Sequence, residues 1–391
     1  MSIEHLIAGR AAALKPSGIR RFFDIASEME GVISLGVGEP DFKTPYAVRQ
    51  AGIQSLQRGK TAYSANAGLM RLREAIAGYM ARRFSLSYDP KSEVIVTVGG
   101  SEGIDLCVRA FVNPGDEVLV PEPSFVAYGP MVSLASGVPV PLPTLAEDEF
   151  RLTPERLEAA ITDKTKLLVL PYPNNPTGAV MRREHLEAVA EVIRRHDLAV
   201  LSDEIYAELT YNGRHTSIAE IDGMRERTVI VNGFSKSFAM TGWRLGFLAG
   251  PPEAVRQMLK IHQYALMCAP TTAQYAATEA LDHCEENIAQ MRDEYNLRRR
   301  FIVDSFNRLG LDTFEPEGAF YIFPCIKSTG MGSEEFCERL LYSKKVAVVP
   351  GSAFGESGEG FVRVSYSYSV NHLTEAVRRI GEFLDELKGG A

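Results

Sequence analysis

The chain has 391 residues, too many for one ordinary hydrophobic core, so we expect two or three domains. Hydrophobic residues make up 45% of the chain and charged residues 24%, the balance of a folded globular enzyme and not of a disordered or fibrous protein. The net charge of −8 argues against a surface for nucleic acid or for anionic membranes.

The five cysteines are odd in number and have no CxxC spacing, which argues against a disulfide framework or a structural zinc site. Glu4 and Arg10 interrupt the apolar stretch at the N-terminus, so no signal-peptide core is expected. No run approaches the ~20 apolar residues that cross a bilayer. We therefore predict a cytoplasmic protein that contacts no membrane.

Short apolar runs alternate with helix-like stretches through the middle of the chain. Their continuous hydrophobicity is typical of strands buried on both faces of a parallel sheet, and their spacing of about thirty residues matches βαβ units. We predict an α/β fold with a mostly parallel central sheet flanked by helices. The six predicted strands span residues 93–98, 117–120, 166–170, 198–202, 228–231 and 245–249.

The C-terminal part has a different pattern. A long helical periodicity over residues 288–309 stops at Gly310, a residue that commonly ends helices. Three short strand candidates follow, and the chain closes with an amphipathic helix. We predict a large domain over 46–285, and a smaller α+β domain formed by 1–45 together with 286–391. The strand candidates are 319–323, 346–349 and 361–365, and the helix covers 373–384.

Polar residues follow the predicted strands, where ligands bind in open parallel sheets. The glycine-rich stretch 99–103 opens a helix, and its free N–H groups would seat a phosphate, although a tight turn with Ser101 as N-cap explains it equally well. Asn175 precedes a proline that holds it extended, or it belongs to an ordinary turn. Asp203 faces a ligand or caps the next helix.

Lys236 follows the fifth predicted strand among Phe234, Phe238, Met240 and Trp243. A lysine in a loop is usually a solvated surface charge, but apolar surroundings lower its pKa and expose a nucleophilic amine. Adjacent strands lie about 4.8 Å apart, so the residues that follow successive strands would converge over one small aromatic ring. A pyridine cofactor needs an anion at its ring nitrogen, a lysine at its aldehyde and cationic groups at its phosphate.

Residues 232–246 (Asn-Gly-Phe-Ser-Lys-Ser-Phe-Ala-Met-Thr-Gly-Trp-Arg-Leu-Gly) resemble the cofactor-lysine signature of the class I/II aminotransferases, in the aspartate aminotransferase superfamily. Seven further segments resemble other motifs of that family and occur in its order. The resemblance therefore covers almost the whole chain. The segments are 35–42, 63–74, 175–178, 202–206, 318–321, 349–352 and 361–365.

The resemblance implies pyridoxal phosphate as the cofactor. Lys236 would hold it as a Schiff base and move a proton between the substrate Cα and the cofactor carbon, Asp203 would pair with the ring nitrogen, and Tyr206 and Asn175 would bond the ring oxygen. Phe125 would stack on the ring, although several relatives have tryptophan or tyrosine there. The implied phosphate ligands are Arg244, Ser235 and the amides of Gly100, Ser101 and Glu102.

Arg363 would bind the substrate α-carboxylate as a bidentate fork, helped by the Gly38 amide and Asn175. Tyr63 would reach the phosphate of a neighbouring subunit, because sites in the family are built across a homodimer. Many relatives carry serine where this chain has Gly233, which shifts the phosphate contact to Ser235.

The intact set of Lys236, Asp203 and Arg363 argues against a catalytically dead binding protein. We expect transamination between an L-amino acid of the glutamate or aspartate type and a 2-oxo acid. Aromatic amino acid transamination and C–S β-lyase activity are the alternatives. Segments 17–22, 203–219 and 262–268 are most similar to bacterial N-acetyl-LL-diaminopimelate aminotransferases, which makes that compound our specific suggestion.

Residues that would contact the distal part of the substrate are less defined. Arg20 and Arg21 either meet a distal carboxylate or lie on a helix surface, and Gln263, Tyr264 and Cys268 either line the partner's pocket or pack within a helix. We interpret His262 as a structural histidine. The histidines and cysteines show no ligand spacing, so we predict no metal.

Overall fold

The computed structural model describes residues 3–16 and 29–389. The strands, in chain order, are β1 (Ile33–Ser34), β2 (Val94–Thr97), β3 (Glu117–Glu122), β4 (Val138–Pro143), β5 (Thr165–Leu170), β6 (Ala199–Asp203), β7 (Thr228–Gly233), β8 (Gly246–Ala249), β9 (Tyr321–Ile322), β10 (Val346–Ala347), β11 (Val349–Pro350) and β12 (Val362–Ser365). The α-helices are α1 (Gly9–Ala13), α2 (Tyr46–Gln57), α3 (Met70–Phe84), α4 (Gly99–Phe111), α5 (Tyr128–Leu134), α6 (Pro154–Ala160), α7 (Arg183–Arg195), α8 (Phe234–Ser237), α9 (Pro252–Ala265), α10 (Thr271–His283), α11 (Glu285–Arg308), α12 (Ser333–Lys344) and α13 (Val370–Gly389).

A seven-stranded sheet in the order β2-β8-β7-β6-β5-β3-β4 forms the centre of the protein. Strand β8 runs antiparallel to both of its neighbours, and the other paired strands are parallel. The sheet is buried on both faces. In β7, Val229 and Val231 belong to one hydrophobic cluster, and Ile230 between them belongs to another. The predicted fold class and the six predicted strands are confirmed.

The edge strand β4 was not predicted from the sequence. It contains Pro139, Pro141 and Pro143 and pairs only with β3. Proline has no N–H to donate, so a run with three prolines reads as a loop, and an edge position is where a sheet tolerates such a run.

The C-terminal helices and strands pack around a separate hydrophobic cluster that also includes Leu35. Helix α11 stops just before Gly310, whose φ of +81° is in the left-handed region, as the sequence predicts. The predicted strand 346–349 is wrong as a single element. It forms β10, which pairs with β1, and β11, which pairs with β12, because a continuous apolar run does not reveal that the chain changes partner.

The segment after β1 is held in place by backbone hydrogen bonds to β10 and β12. Leu35 N donates to Ala347 O at 2.8 Å, and Ser365 N donates to Leu35 O at 2.8 Å. Residues 36–42 are thereby held beside the carboxyl ends of β5, β6 and β7. Of the described residues, none belongs to a helix that could span a membrane, and none joins a metal-binding group of three or more His, Cys, Asp or Glu side chains.

Candidate active site

One cavity of about 460 Å³ opens at the carboxyl ends of β5, β6 and β7. Asn175, Asp203 and Lys236 follow these three neighbouring strands, and all three line the cavity. The structure also brings to it most of the other predicted site residues, namely Gly38, Gly100, Ser101, Phe125, Tyr206, Ser235, Arg244 and Arg363. Glu102 and Tyr63 do not line it.

Lys236 lies in the cavity on the short helix α8. Its Nζ donates to the Gly38 carbonyl and lies 5.7 Å from the Tyr206 ring centre and 5.6 Å from that of Phe320. Burial lowers the pKa of Lys236 to about 8, Glu39 opposes that shift, and Arg363 and Arg244 add to it. The lysine is therefore not the solvated surface charge of the alternative interpretation, and a fraction of its amine is neutral near neutral pH.

Asp203 ends β6 and is 7% exposed. Its Oδ1 accepts from the Ile205 amide at 3.2 Å, and its Oδ2 accepts from the Tyr128 hydroxyl at 2.7 Å. Burial raises the pKa of Asp203 to about 6, against the lowering effect of these two hydrogen bonds, and the charge of Glu204 raises it further. A buried carboxylate in this position is suited to binding a cationic ring nitrogen.

Sequence reasoning missed Tyr128. It begins helix α5, and its ring lies edge-on to that of Phe125 with centroids 5.7 Å apart. The sequence signal that could have identified Tyr128 is its position three residues after Phe125, the predicted stacking residue. Its partner Asp203 comes 75 positions later, which no local pattern shows.

The two asparagines that follow β5 have separate tasks. Asn174 Oδ1 accepts from the amide of Thr177 at 3.2 Å and from its hydroxyl at 2.9 Å, which closes the turn. Asn175 Oδ1 instead accepts from Arg363 Nη1 at 2.9 Å. Asn174 therefore closes the turn, and its neighbour Asn175 belongs to the candidate site. The alternative interpretation of a bare turn applies to Asn174 alone.

Arg363, on β12, is 3% exposed and lies between two aromatic rings, 4.6 Å from the Tyr321 centroid and 4.9 Å from that of Phe354. Its Nη2 donates to Gly36 O at 2.5 Å, while its buried Nε has no partner among the described residues. Burial lowers the pKa of Arg363. A buried guanidinium with an open donor is a ready site for a carboxylate.

The opposite end of the cavity is formed by the N-terminus of α4. This helix begins at Gly99 and no side chain caps it, so the alternative in which Ser101 is the N-cap is wrong. Gly99 has a φ of +73°, and a Cβ there would meet Arg244 Nη2 at 2.8 Å. The guanidinium therefore lies against the first turn, and a positive charge beside free N–H groups favours a phosphate.

The serines around the lysine also divide their tasks. Ser237 Oγ donates at 3.1 Å to the carbonyl of Gly233, the residue that precedes helix α8, whereas Ser235 lines the cavity. Of these two serines, Ser235 is thus the one that lines the cavity.

The side chain of Glu102 lies behind the first turn of α4. Its Oε2 accepts from the Val98 amide, and its Oε1 lies 2.5 Å from Nδ1 of the fully buried His262. This contact agrees with our interpretation of His262 as a structural residue. It does not test whether the Glu102 amide binds a phosphate.

Tyr321 belongs to segment 318–321, which resembles a family motif, but no role was predicted for it from the sequence. Its hydroxyl lies 2.7 Å from the Tyr206 hydroxyl, and it packs against Gly38 so closely that a Cβ at Gly38 has no room.

Tyr63 and Tyr264 are surface residues, 80% and 87% exposed. Arg20 and Arg21 lie outside the described residues.

These residues fit pyridoxal phosphate. The cradle at Gly99 and Arg244 is shaped for a phosphate, Asp203 supplies an anion on the sheet, and Lys236 supplies an amine of lowered pKa beside them. The unpartnered Nε of Arg363 leaves a donor for a substrate carboxylate.

Residues 30–380 match the family described as aminotransferase class I and II. The chain belongs to this family. An aspartate aminotransferase of Pyrococcus abyssi is 47% identical, and an aromatic-amino-acid aminotransferase of Thermococcus litoralis is 46% identical; each match covers 98% of this chain and 99% of the relative. The structure of the Thermus thermophilus aspartate aminotransferase with maleate superposes with a TM-score of 0.92 at 40% identity, covering 96% of this chain and 99% of that one.

Members of this family are transaminases that use pyridoxal phosphate, and the aminotransferase activity and cofactor predicted from the sequence are confirmed at that level. Relatives of aspartate and of aromatic specificity match almost equally well, so the substrate does not follow from identity.

Proposed function

We propose that this aminotransferase holds pyridoxal phosphate on Lys236 and exchanges amino groups between an L-amino acid of the glutamate or aspartate type and a 2-oxo acid. The observation that carries the proposal is the convergence of Asn175, Asp203 and Lys236 beside the helix terminus at Gly99. When bound, the cofactor supplies an aldehyde that takes up the amino group and a ring that accepts the electron pair released at the substrate Cα.

Three groups of residues would hold the cofactor. Arg244, Ser235 and the amides of Gly100, Ser101 and Glu102 hold its phosphate; Asp203 binds the ring nitrogen; Tyr206 and Asn175 bond the ring oxygen. Phe125 lies beside Asp203 and Tyr128 on the cavity wall, in a position to cover one face of a ring.

Lys236 would then carry the proton of the reaction. Its amine lies among Tyr206, Phe320 and the Gly38 carbonyl, inside the cavity where the substrate Cα would be bound. A pKa of about 8 lets it both accept and return a proton near neutral pH.

Arg363 would bind the α-carboxylate of the substrate. Its two ring contacts and its bond to Asn175 fix the guanidinium plane, and the open Nε with the remaining Nη hydrogens provides a forked donor. The Gly38 amide lies beside it in the same cavity wall.

The distal part of the substrate needs groups beyond the described cavity wall. The described cationic side chains that line the cavity are Lys236, Arg244 and Arg363, and each has a proposed task. Arg20 and Arg21, which lie outside the described residues, and residues of a second subunit are the candidates for binding a distal carboxylate. N-acetyl-LL-diaminopimelate stays our specific suggestion, with an aromatic amino acid as the alternative.

We also propose a homodimer with shared sites. Tyr63 does not reach its own cavity and is 80% exposed, which supports its assignment to the phosphate of a partner subunit. Mixing inactive Tyr63→Ala and Lys236→Ala proteins tests this. A randomly recombined 1:1 mixture should regain about a quarter of the wild-type activity, because about half of its dimers are hybrids and one of the two sites in each hybrid has Lys236 from one chain and Tyr63 from the other. If Tyr63 served its own site, mixing would restore nothing.

The domain boundaries, 46–285 against 1–45 with 286–391, are likewise a proposal. It is supported by the hydrophobic cluster that joins Leu35 to Phe320, Val364 and Leu373, apart from the clusters on the two faces of the large sheet. The cytoplasmic location stays a prediction, with which the five free thiols agree.

A half-reaction screen on the cofactor-loaded protein tests the proposed reaction and substrate. Single amino acids (glutamate, aspartate, phenylalanine, tyrosine, cystathionine and N-acetyl-LL-diaminopimelate) are added while the cofactor absorbance is followed. Bleaching with one equivalent of keto acid supports transamination and ranks the substrates. Pyruvate and ammonia released from cystathionine with an unchanged band would instead indicate a lyase.

A further inference from the structure

A second polar cluster lies on the far side of β6 from the cofactor cavity. Glu204 follows Asp203 directly, and successive side chains of an extended chain point to opposite faces, so Glu204 faces away from the cavity. It is 1% exposed, and His215 beside it is 4% exposed. Two buried ionisable groups adjacent to a proposed cofactor ligand are unusual without a function.

The carboxylate of Glu204 is well held. Its Oε1 accepts from the hydroxyls of Ser202 at 2.8 Å and Ser217 at 2.6 Å. Its Oε2 lies 3.2 Å from His215 Nε2, a distance typical of an ion pair, although the two groups are not aligned as a hydrogen bond. The Glu204 amide donates to Val231 O at 2.8 Å, which fixes its backbone between β6 and β7.

The other charged or titratable groups near the cluster do not replace His215. The buried Tyr88 hydroxyl is unpartnered, and Arg225 packs over the Tyr88 ring at 4.7 Å while binding Glu93 at 2.9 Å. The Tyr172 hydroxyl donates to a backbone oxygen at 3.0 Å. Among the described residues, His215 is therefore the basic side chain within ion-pair distance of Glu204, and a buried carboxylate is stabilised by such a partner.

A cavity of about 10 Å³ adjoins Ser202, Glu204 and His215, and both ring nitrogens of His215 lack hydrogen-bond partners. This is about the space that one water molecule needs, and the polar atoms around it would bind one. A water here would complete the bonds of the histidine without neutralising the carboxylate.

We propose that Glu204, paired with His215, is a positioning residue whose carboxylate acts through Asp203 to raise the proton affinity of the bound cofactor. Glu204 directly follows Asp203 in the chain, and its charge contributes, after burial, to the raised pKa of Asp203. Glu204 and not His215 is among the groups whose charge acts on Asp203, so the carboxylate end of the pair adds to the negative potential that Asp203 provides at the ring nitrogen.

The test is an absorbance titration of the bound cofactor in the loaded enzyme. Glu204→Gln should lower the pH midpoint by roughly 0.5–1 unit, because an anion is lost at unchanged shape. His215→Gln should lower it by a similar amount, since the unpaired buried carboxylate then takes up a proton. The double variant should go no further than either single variant, because the two residues act as one unit.

Glu208→Gln is the matched control. Glu208 is also a buried carboxylate, bound by the Tyr79 hydroxyl at 2.6 Å and by Arg83, but it does not adjoin Asp203. It should lower the thermal unfolding temperature and leave the midpoint unchanged. Ser217→Ala is a milder change that removes one donor to Glu204 and should give a smaller shift of the same sign, which provides a test if the Gln variants fail to fold.

A Glu204→Gln midpoint within 0.1 unit of wild type, or shifts from Glu204→Gln and His215→Gln that add, would overturn this inference. It rests on the proposed role of Asp203, so Asp203→Asn is titrated in parallel. If Asp203→Asn leaves the midpoint unchanged, the proposed site is wrong; if it moves the midpoint while Glu204→Gln does not, only the inference about Glu204 fails.

Discussion

The guanidinium of Arg363 donates to the side-chain oxygen of Asn175 at 2.9 Å and joins β12 of the small sheet to the turn that follows β5 of the large sheet. The proposed carboxylate-binding residue is thus positioned by a proposed cofactor ligand. One hydrogen bond therefore links the residue proposed to bind the substrate to a residue proposed to bind the cofactor.

Replacing Arg363 with lysine should reduce kcat/KM for every amino acid substrate about 100-fold or more, chiefly through a higher KM. Lysine keeps the charge but loses the planar fork and its two ring contacts. Steady-state kinetics measures the effect, and the cofactor spectrum should stay unchanged. Arg182→Lys is the control: its fork to Glu317 at 2.9 Å is distant from the cavity, so its kinetics should match wild type. An unaltered KM in Arg363→Lys would contradict the assignment.

Replacing Gly99 with alanine should weaken cofactor binding by about tenfold or more, because the new methyl group would displace the Arg244 guanidinium from the helix terminus. Equilibrium dialysis or fluorescence titration measures the affinity. Gly59→Ala is the matched control, since Gly59 also has a positive φ, +66°, but open space around its Cβ. It should cost about 1 kcal/mol of stability and leave the affinity intact. Equal losses of affinity in both variants would argue for strain alone.

The carboxyl of Asp203 should destabilise the cofactor-free protein at alkaline pH. Its pKa is about 6 in the folded state against 3.8 for an ordinary aspartate, so the folded state binds the proton more tightly than the unfolded state. Asp203→Asn should therefore stabilise the cofactor-free protein at pH 8 by on the order of 1–3 kcal/mol, and the gain should shrink as the pH falls from about 6 to about 4. Denaturant unfolding at several pH values checks this, and a gain independent of pH would refute it.

The Tyr128 hydroxyl should keep Asp203 ionised, because its hydrogen bond lowers the pKa of that carboxyl. Tyr128→Phe should raise the pKa and move the acid limb of the kcat/KM profile to higher pH. Tyr172→Phe removes a buried hydroxyl that bonds to backbone groups and should leave the limb in place. A limb that moves to lower pH in Tyr128→Phe would show that the hydroxyl does not stabilise the anion.

Lys236 should capture the cofactor only as the free amine. With a pKa of about 8, the rate of capture by cofactor-free protein should rise about tenfold per pH unit at lower pH and level off above pH 8. Stopped-flow absorbance measures the rate. Lys260→Ala, a change at an exposed lysine, should leave the profile unaltered. A rate that continues to rise beyond pH 10 would mean that burial does not lower the pKa of this amine.

The sequence was sufficient to predict the sheet and the convergence at its edge, because buried parallel strands have continuous apolar runs and the residues after them meet at one edge. It was not sufficient where the partner of a segment is distant. The antiparallel direction of β8, the division of 346–349 between two sheets and the proline-rich edge strand β4 all depend on pairing that a local pattern does not encode.

The same limit applies within the candidate site. Lys236, Asp203 and Asn175 were predictable because each lies at or within five residues of the carboxyl end of a strand. Tyr128 and Tyr321 instead act through hydroxyl bonds to residues 75 and 115 positions away. Side-chain geometry is also needed to predict that Asn174 closes the turn and Asn175 faces the cavity. Residues in adjacent positions have the same sequence pattern, and their orientations decide which one faces the cavity.

The most direct test of the central claim is borohydride reduction of the cofactor-loaded protein, followed by peptide mass spectrometry. Reduction fixes a Schiff base between lysine and pyridoxal phosphate as a stable amine on the residue that formed it. We predict one adduct per chain, on Lys236, and neither adduct nor turnover in Lys236→Ala. An adduct on another lysine, or a Lys236→Ala protein that transaminates at the wild-type rate, would contradict the account.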